Sequence, residues 1–483
     1  MSNVKEFFKL NEDVNISSIM VDSRIKLENS IFFCLVGLTV DGHSYVDNAI
    51  DNGAVAVVHS KDINEKKDNV TYIKVEDTTK ALNEFADYFY GYPSHNMKIY
   101  GVTGTNGKTT TTYIIYDLLN KLNTKAGYIG TLGYKYDSEM HDQFFTTPNI
   151  NDLHLILSKI KNAGCEACSI EVSSQGLDLH RCDSVDFDVA IFSNLTHDHL
   201  DYHLTYRNYF NAKARLFENM KKDGIAIINV DDEYGNKMLD RCSCKSITYA
   251  IDSNADYKVT DLKLYSDFSE FNLTIRNACT YFIKTNEIAK FNIYNLVSAI
   301  AALVETGYKI EDIIPLLENI SSIPGRCMHI NEGQDFEVIV DYAHTPDGFV
   351  KMLDYAKMIK SKNSRIIVVF GLRGSGDMEK RPIVGSIVDD GCDEIFITAD
   401  DNHEEDINHI LDGIQSGIKK HIPHRYEFRE DAIKAAIDIC NSEDILLILS
   451  KGDDQYNKIN GKKEYYEGDN NIASKYLKEK LQK

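Results

Sequence analysis

The stretch GVTGTNGKTTTT, residues 101–112, decides how this 483-residue chain is read. The apolar run Ile99 to Val102 reads as a short buried strand. After Lys108, Tyr113, Ile114, Tyr116, Leu118 and Leu119 read as an amphipathic helix. A strand, a glycine turn, Lys-Thr and a helix together make a phosphate-binding loop. Gly104 and Gly107 let successive backbone amides turn toward an anion, and the helix N-terminus adds its partial positive charge. Lys108 would reach the outer phosphates, and the Thr109 hydroxyl can ligate Mg²⁺. The spacing G-x-x-x-x-G-K-[ST] is not met, because Val102 stands where its first glycine belongs. A plain glycine turn does not need Lys-Thr, so the stretch implies a nucleotide site.

Working outward, the length predicts about three domains. An apolar fraction of 43% and a charged fraction of 26% are those of a soluble globular chain. The net charge of −21 argues against nucleic acid or an acidic membrane as partner, though not against a small anion held in a local basic pocket. No run reaches membrane-span length, the start MSNVKEFFKLNEDVN is not a signal peptide, and no obligate protein partner is implied. Ten cysteines without a disulfide framework fit reduced thiols, so the expected location is the cytoplasm. Cys165 and Cys168 form one C-x-x-C with no second pair at zinc-ribbon spacing, and read as incidental thiols.

The predicted fold class is α/β in three domains. Residues 1–97 form a small N-terminal α/β domain, 98–324 a central P-loop domain with a mostly parallel sheet, and 325–483 a Rossmann-like C-terminal domain. In the first, Ile31–Val36 and Ala54–Val58 read as strands, and Tyr45–Asn52 and Ala81–Tyr90 as helices. Asp22-Ser23-Arg24 and Asp41-Gly42-His43 lie in loops beside a strand, as ligand contacts or as turn chemistry. In the second, Ala167–Val172 ends in EVSSQGL and Val185–Phe192 ends in SNLTHDHLDYH, both at strand carboxyl ends, where open α/β sheets bind ligands. Glu171 is placed to help hold Mg²⁺. His197, Asp198, His199, Asp201 and His203 are either a metal site, for which oxygen-rich surroundings suit Mg²⁺, or a solvated loop. Tyr209–Asn219 reads as a helix carrying Lys213, and residues 245–285 as an irregular strand-rich stretch. In the third, strands at Glu337–Val340, Arg365–Phe370, Glu394–Thr398 and Ile445–Leu449 end in DYAHTPD, GLRGSGDMEKRP, ADDNHEED and SKGDDQY.

These motifs, in this order, resemble the Mur ligases along the whole chain. The stretches are DSR at 22–24, the DGH region, GVTGTNGKTTT, TTP at 146–148, EVSSQGL, NLTHDHLDYH, AKARLF, FNIYN, PGR, VDYAHTPD and KRP at 380–382. The resemblance is to the branch that adds the third residue to UDP-N-acetylmuramoyl-L-alanyl-D-glutamate. Folylpolyglutamate synthetases share the ligase core but lack the DSR/DGH domain. The resemblance implies a peptidoglycan-precursor ligase in which ATP activates a carboxylate as an acyl phosphate that an amino-acid amine then attacks, with two Mg²⁺ ions. It implies nucleotide contacts at Gly104, Thr105, Asn106, Gly107, Lys108, Thr109, Thr110, Asn295, Arg326, Asp341 and His344. Thr109 and Glu171 would hold one metal, and His199 and a carbamylated Lys213 would serve a second. Ser23, His43, Thr146, Thr147, Ser173 and Arg181 would contact the UDP-sugar-peptide.

Departures collect in the third domain. The family's D-N-P-R reads Asp401-Asn402-His403-Glu404, its amino-acid-binding arginine falls at Gly376 with Arg373 nearby, and G-K-G-H-E becomes Ser450-Lys451-Gly452-Asp453-Asp454. Gln175 replaces a histidine in EVSSHGL. The expected amino-acid site is therefore Arg373, Asp401, Asn402, Glu404 and Asp454. Glu404 and Glu405 would repel a distal carboxylate, favouring L-lysine or L-ornithine over diaminopimelate unless they are a solvated helix start. Two rivals remain: a paralogue joining another acid to another amine, and a non-catalytic nucleotide-dependent binding protein.

Overall fold

The computed structural model describes residues 4–37, 40–460 and 462–482. Among the described residues the α/β class holds, and the chemistry-bearing strand ends fall where parallel sheets place them. The first unit is a four-stranded parallel sheet in the order Ser18–Met20, Ser30–Phe33, Ala54–His59, Thr71–Lys74. The two outer strands, three and four residues long, are too short to show a period in sequence. The strand expected over Ile31–Val36 stops at Phe33, and Val36 only bridges to Asp41. Helix Thr78–Phe89 is capped by Asp77, whose carboxylate accepts from the Thr79 and Lys80 amides, and its Phe85 packs against Phe7, Phe8 and Phe33. Asn83 of this helix donates to the His180 carbonyl at 2.9 Å, joining the unit to the next.

The central sheet has eleven strands. At its middle Lys98–Thr103 lies between Ala167–Glu171 and Val189–Phe192, all parallel. The strand expected from Val185 begins at Val189. Parallel pairing continues through Ile225–Asn229 and Lys245–Ala250. The stretch read as irregular is ordered: Tyr257–Leu264, Ser269–Ile275 and Cys279–Thr285 extend the sheet, the last two pairings antiparallel. Helix Lys108–Lys121 buries Ile114, Ile115, Leu118 and Leu119 in the same core as Ile293, Leu296 and Val297 of helix Lys290–Glu305. That packing fixes the start of the first helix over the strand ends.

The third unit is a six-stranded sheet in the order Met328–His329, Glu337–Asp341, Ile445–Leu449, Ile366–Phe370, Glu394–Ile397, His424–Arg425, parallel except for its first pair. Its middle strands are buried throughout, as continuous Ile/Val/Leu runs covered on both faces must be. The last helix, Asp469–Leu481, is anchored by the buried Arg429–Asp469 pair, bonded at 2.7 and 2.6 Å. A short antiparallel hairpin, Tyr456–Ile459 with Lys462–Tyr465, lies between the last sheet strand and that helix and was not foreseen from sequence. Among the described residues no helix is long and apolar enough to cross a membrane.

Candidate active site

The strand Lys98–Thr103 runs into a loop that only glycine could build. Gly104 has φ +155°, and a Cβ there would sit 1.9 Å from Ser193 Oγ. Gly107 caps the helix at φ +88°, and a Cβ would sit 2.3 Å from Asn295 Oδ1. The Thr105 and Asn106 amides are already engaged, by the Asn194 carbonyl and by Asn194 Oδ1, each at 2.9 Å. The donors left for an anion are therefore the first amides of the helix, which have no intrahelical acceptor. The Asn106 side chain instead reaches the third unit, donating to Asp347 Oδ2 at 2.8 Å and Thr345 Oγ1 at 3.1 Å.

Lys108 folds back over the loop, its Nζ donating to the Gly104 and Thr105 carbonyls at 3.0 and 2.9 Å. Burial pushes its pKa down, opposed by the charges of Glu171 and Asp198. Glu171 is fully buried, and among the described residues it makes no ion pair. Its Oε1 accepts from Tyr128 Oη at 2.7 Å and the Thr131 amide at 2.8 Å. Its Oε2 accepts from Thr109 Oγ1 at 3.0 Å and Thr131 Oγ1 at 3.1 Å. Arg326 of the third unit donates to the same Thr109 hydroxyl at 2.9 Å. A hydroxyl and a carboxylate converging beside a phosphate loop are an oxygen donor set that suits Mg²⁺, which takes one or two protein ligands and completes its shell from phosphates and water. No cluster of three His, Cys, Asp or Glu able to hold a metal occurs among the described residues.

Beside this lies a group of charges centred on Asp198, which sequence reasoning left inside a polar cluster without a role of its own. Its carboxylate is 3% exposed and stands 3.2 Å from His199 Nε2, 3.7 Å from His344 Nε2 and 3.7 Å from Lys380 Nζ. Burial alone would raise its pKa, but His199, His344 and Lys380 hold it well below the carboxylate range. The signal was the THDHLD run itself, whose partners lie in the third unit. His199 sits in the left-handed region at φ +53°. Burial lowers its pKa to about 4, with Lys108 and Lys213 adding to the effect against Asp198, so its imidazole is neutral and able to ligate a metal. Lys213 is 1% exposed, its Nζ donates to the Gly104 carbonyl at 2.7 Å, and it lies 4.5 Å from the Tyr209 ring centroid. Burial, then the neighbouring Lys108, drive its pKa well below that of a free lysine.

Thr147 Oγ1 donates to the Glu171 carbonyl at 2.9 Å and accepts from the Ser173 amide at 2.9 Å, Arg181 holds the Thr147 carbonyl at 2.9 Å, and Thr146 meets Thr131 at 3.2 Å. From the third unit come Arg326, stacked 4.5 Å from the Tyr342 ring centroid, and His344, bonded to the Tyr342 carbonyl. Asp341 is buried and bound by the Cys327 and Ala343 amides, each at 2.7 Å. Asn295 stands against Gly107. All of these face one cleft of about 580 Å³, together with Thr105 to Thr110, Glu171, His199, Lys213 and, at its far end, Arg373.

Seven of the expected residues do not line that cleft. Gly104 is packed against Ser193 and Asn194, and Ser23 and His43 belong to the first unit. Both ring nitrogens of His43 are engaged, Nδ1 by Asp41 at 2.6 Å and Nε2 by the Ser60 amide at 3.0 Å. Asp401, Asn402, Glu404 and Asp454 also lie outside the lining of the cleft. Asp401 is bound by Lys451 Nζ at 2.9 Å and by the Lys458 amide at 3.0 Å, and burial lifts Asp454 to about 6. The expectation that Glu404 and Glu405 form a repulsive pair needs correction. Glu404 is exposed, while Glu405 is clamped by Arg381, itself 2% exposed, through bonds of 2.6 and 2.7 Å. The arginine of the KRP motif neutralises that acid, so the pocket does not carry the doubled negative charge on which the lysine preference rested.

Three family descriptions match the chain: the Mur ligase family catalytic domain over residues 15–90, the Mur ligase middle domain over 102–303 and the Mur ligase glutamate ligase domain over 325–452. A Fusobacterium nucleatum protein named UDP-N-acetylmuramoyl-L-alanyl-D-glutamate–2,6-diaminopimelate ligase is 39% identical over 478 residues, covering 97% of this chain and 96% of its own length. The UDP-N-acetylmuramyl-tripeptide synthetase 2 of Oceanobacillus iheyensis is 36% identical, covering 93% and 92%. Among solved structures, one described as a UDP-N-acetylmuramoyl-L-alanyl-D-glutamate–2,6-diaminopimelate ligase superposes with a TM-score of 0.69 at 27% identity, covering 99% of both chains.

Proposed function

The chain belongs to the Mur ligase family, and on that premise we propose that it uses ATP to add an amino acid, as the third residue, to UDP-N-acetylmuramoyl-L-alanyl-D-glutamate in peptidoglycan precursor synthesis. The observation that carries this reading is the convergence of Lys108, Glu171, His199 and Lys213 in one cleft, with Arg326 and His344 closing it from the third unit. A module that only bound nucleotide would not need a buried lysine beside a buried carboxylate. The cytoplasm suits this role because ATP and the nucleotide-sugar meet there, and ten free cysteines accord with it.

A carboxylate is a poor acyl donor, so the substrate's free carboxylate attacks the γ-phosphorus of ATP and ADP leaves. The amine then attacks the resulting acyl carbon, a tetrahedral intermediate forms, and it collapses to an amide as phosphate departs and the amine loses its protons. Catalysis is mostly positioning and charge neutralisation. Lys108, freed from the Gly104 and Thr105 carbonyls, would hold the transferring phosphoryl group while the helix amides hold the remaining phosphates. Thr109 and Glu171 would hold one Mg²⁺, and His199 with Lys213 a second. Bound there, the metal would neutralise phosphate charge. Lys213 is suited to carbamylation because CO₂ adds only to a neutral amine, losing one proton and leaving an anion where a cation stood.

The test is reconstitution of the purified chain with ATP, Mg²⁺, UDP-muramoyl-dipeptide and a mixture of amino acids. Phosphate release should require both the acid and the amine, and mass spectrometry should find the dipeptide extended by one residue. Phosphate release without extension, or extension only of a different acid, overturns the reading.

A further inference from the structure

The first unit meets the central unit through a buried carboxyl and a buried imidazole that the proposed reaction does not use. Asp87, on helix Thr78–Phe89, is 5% exposed, and His154, on helix Ile150–Asn162, is fully buried. Asp87 Oδ1 and His154 Nδ1 face each other at 3.6 Å. Neither atom has a hydrogen-bond partner among the described residues. Buried polar atoms are almost always bonded, so two unbonded ones face to face point to a proton between them.

The surrounding bonds fix where that proton sits. Ser184 has one hydroxyl proton to give, and Asn83 offers it two acceptors, its carbonyl at 3.0 Å and its Oδ1 at 3.3 Å. Ser184 Oγ therefore accepts from His154 Nε2–H at 2.9 Å, and a neutral His154 presents a lone pair at Nδ1. An ionised Asp87 would set a second acceptor against that lone pair, whereas a protonated Asp87 closes the contact as a donor. Burial acts in the same direction, pushing Asp87 up to about 6 and His154 down to about 3. Three other charged or titratable groups bear on the carboxyl. His95, in the turn Ser94–Asn96 between the units, has Nε2 3.5 Å from Asp87 Oδ2. His95 and Lys161 oppose the rise at Asp87, Asp186 adds to it, and His95 also lowers His154.

We propose that the first unit docks on the central unit through a neutral Asp87–His154 pair, in which the Asp87 carboxyl donates its proton to His154 Nδ1. In the unfolded chain near about pH 5 the carboxyl is ionised and the imidazole protonated. Docking then breaks an imidazolium N–H bond, forms a carboxyl O–H bond, and neither takes up nor releases a proton. A buried acid alone would weaken the interface as pH rises, and a buried imidazole alone would weaken it as pH falls. Between about pH 4 and about pH 6 the two tendencies offset each other, so the pair makes the docking of the first unit insensitive to acidification.

Denaturant unfolding of the full chain from about pH 7.5 to about pH 4.5 tests this, read as the ratio of variant to wild-type folding constants. Asp87→Asn should lose on the order of tenfold against wild type as pH falls, because His154 stays buried without the compensating acid. His154→Gln should gain on the order of tenfold against wild type over the same fall, because Asp87 alone then takes up a proton. In ¹⁵N-histidine spectra of wild type near about pH 6, His154 should carry a proton on Nε2 and none on Nδ1. A ratio that stays constant with pH in either variant overturns the proposal, and so does a His154 protonated on both nitrogens. The wild-type spectrum decides it alone if the variants fold poorly.

Discussion

Lys213 Nζ donates a 2.7 Å hydrogen bond to the Gly104 carbonyl, tying a helix lysine to a loop residue 109 positions earlier in the chain. The bond fixes the amine beside the phosphate loop and needs only one N–H, which a carbamate retains. Lys213→Ala should therefore lower turnover by on the order of 10²-fold through loss of metal support, with partial recovery in formate or acetate. Wild-type turnover measured against bicarbonate concentration should rise and saturate. An alanine variant with near-normal turnover would exclude the carbamate.

Lys108→Ala should reduce ligation by about 10²–10³-fold, the cost of removing a charge aimed at developing negative charge. Its thermal midpoint should stay close to wild type, because the Nζ bonds only to two loop carbonyls. Single-turnover phosphate release checks the chemistry apart from product dissociation.

Gly107→Ala should damage both fold and site. The position needs φ +88° and has Asn295 Oδ1 where a methyl group would go. Strain of about 1–3 kcal/mol is expected. Calorimetry should show the loss, and nucleotide titration should show weakened binding, because the helix amides shift with the cap.

Acid stability should depend on Glu405. Its hydrogen bonds with Arg381 hold its carboxyl at about 2 against an ordinary 4.5. A folded-state pKa below the unfolded one means its contribution is complete above about 4.5 and is lost as pH falls toward 2. Glu405→Gln should be less stable near neutrality, leaving Arg381 buried without its partner, and its stability should change less than wild type's across that window. Denaturant midpoints measured over that pH range decide it.

The sequence was most legible where one short stretch carries several constraints at once. Glycines, Lys-Thr and a flanking strand and helix left few readings for residues 101–112, and Glu171 at a strand end followed from the same parallel-sheet logic. What stayed hidden was non-local. The role of Asp198 depends on His344 and Lys380, more than a hundred residues later, and the Glu405 charge is balanced by Arg381 from a helix 24 residues earlier. The hairpin bearing Lys458 has two four-residue strands, one half-buried throughout and the other exposed throughout, so neither carries an alternation. Local pattern therefore located the phosphate-loop end of the cleft and misjudged the charge at its Arg373 end.

The order of strands in the third sheet also bears on how the protein is made. Ile445–Leu449 lies between Glu337–Asp341 and Ile366–Phe370 and pairs with both. While the chain is still emerging from the ribosome, those two earlier strands have no bridge between them, and their edges stay open until residue 449 is free. The central unit is complete long before that and can fold while translation continues. The cleft wall contributed by Arg326, Asp341 and His344 therefore forms only near the end of synthesis, so a nascent chain can hold a formed phosphate loop without yet having an enclosed reaction chamber.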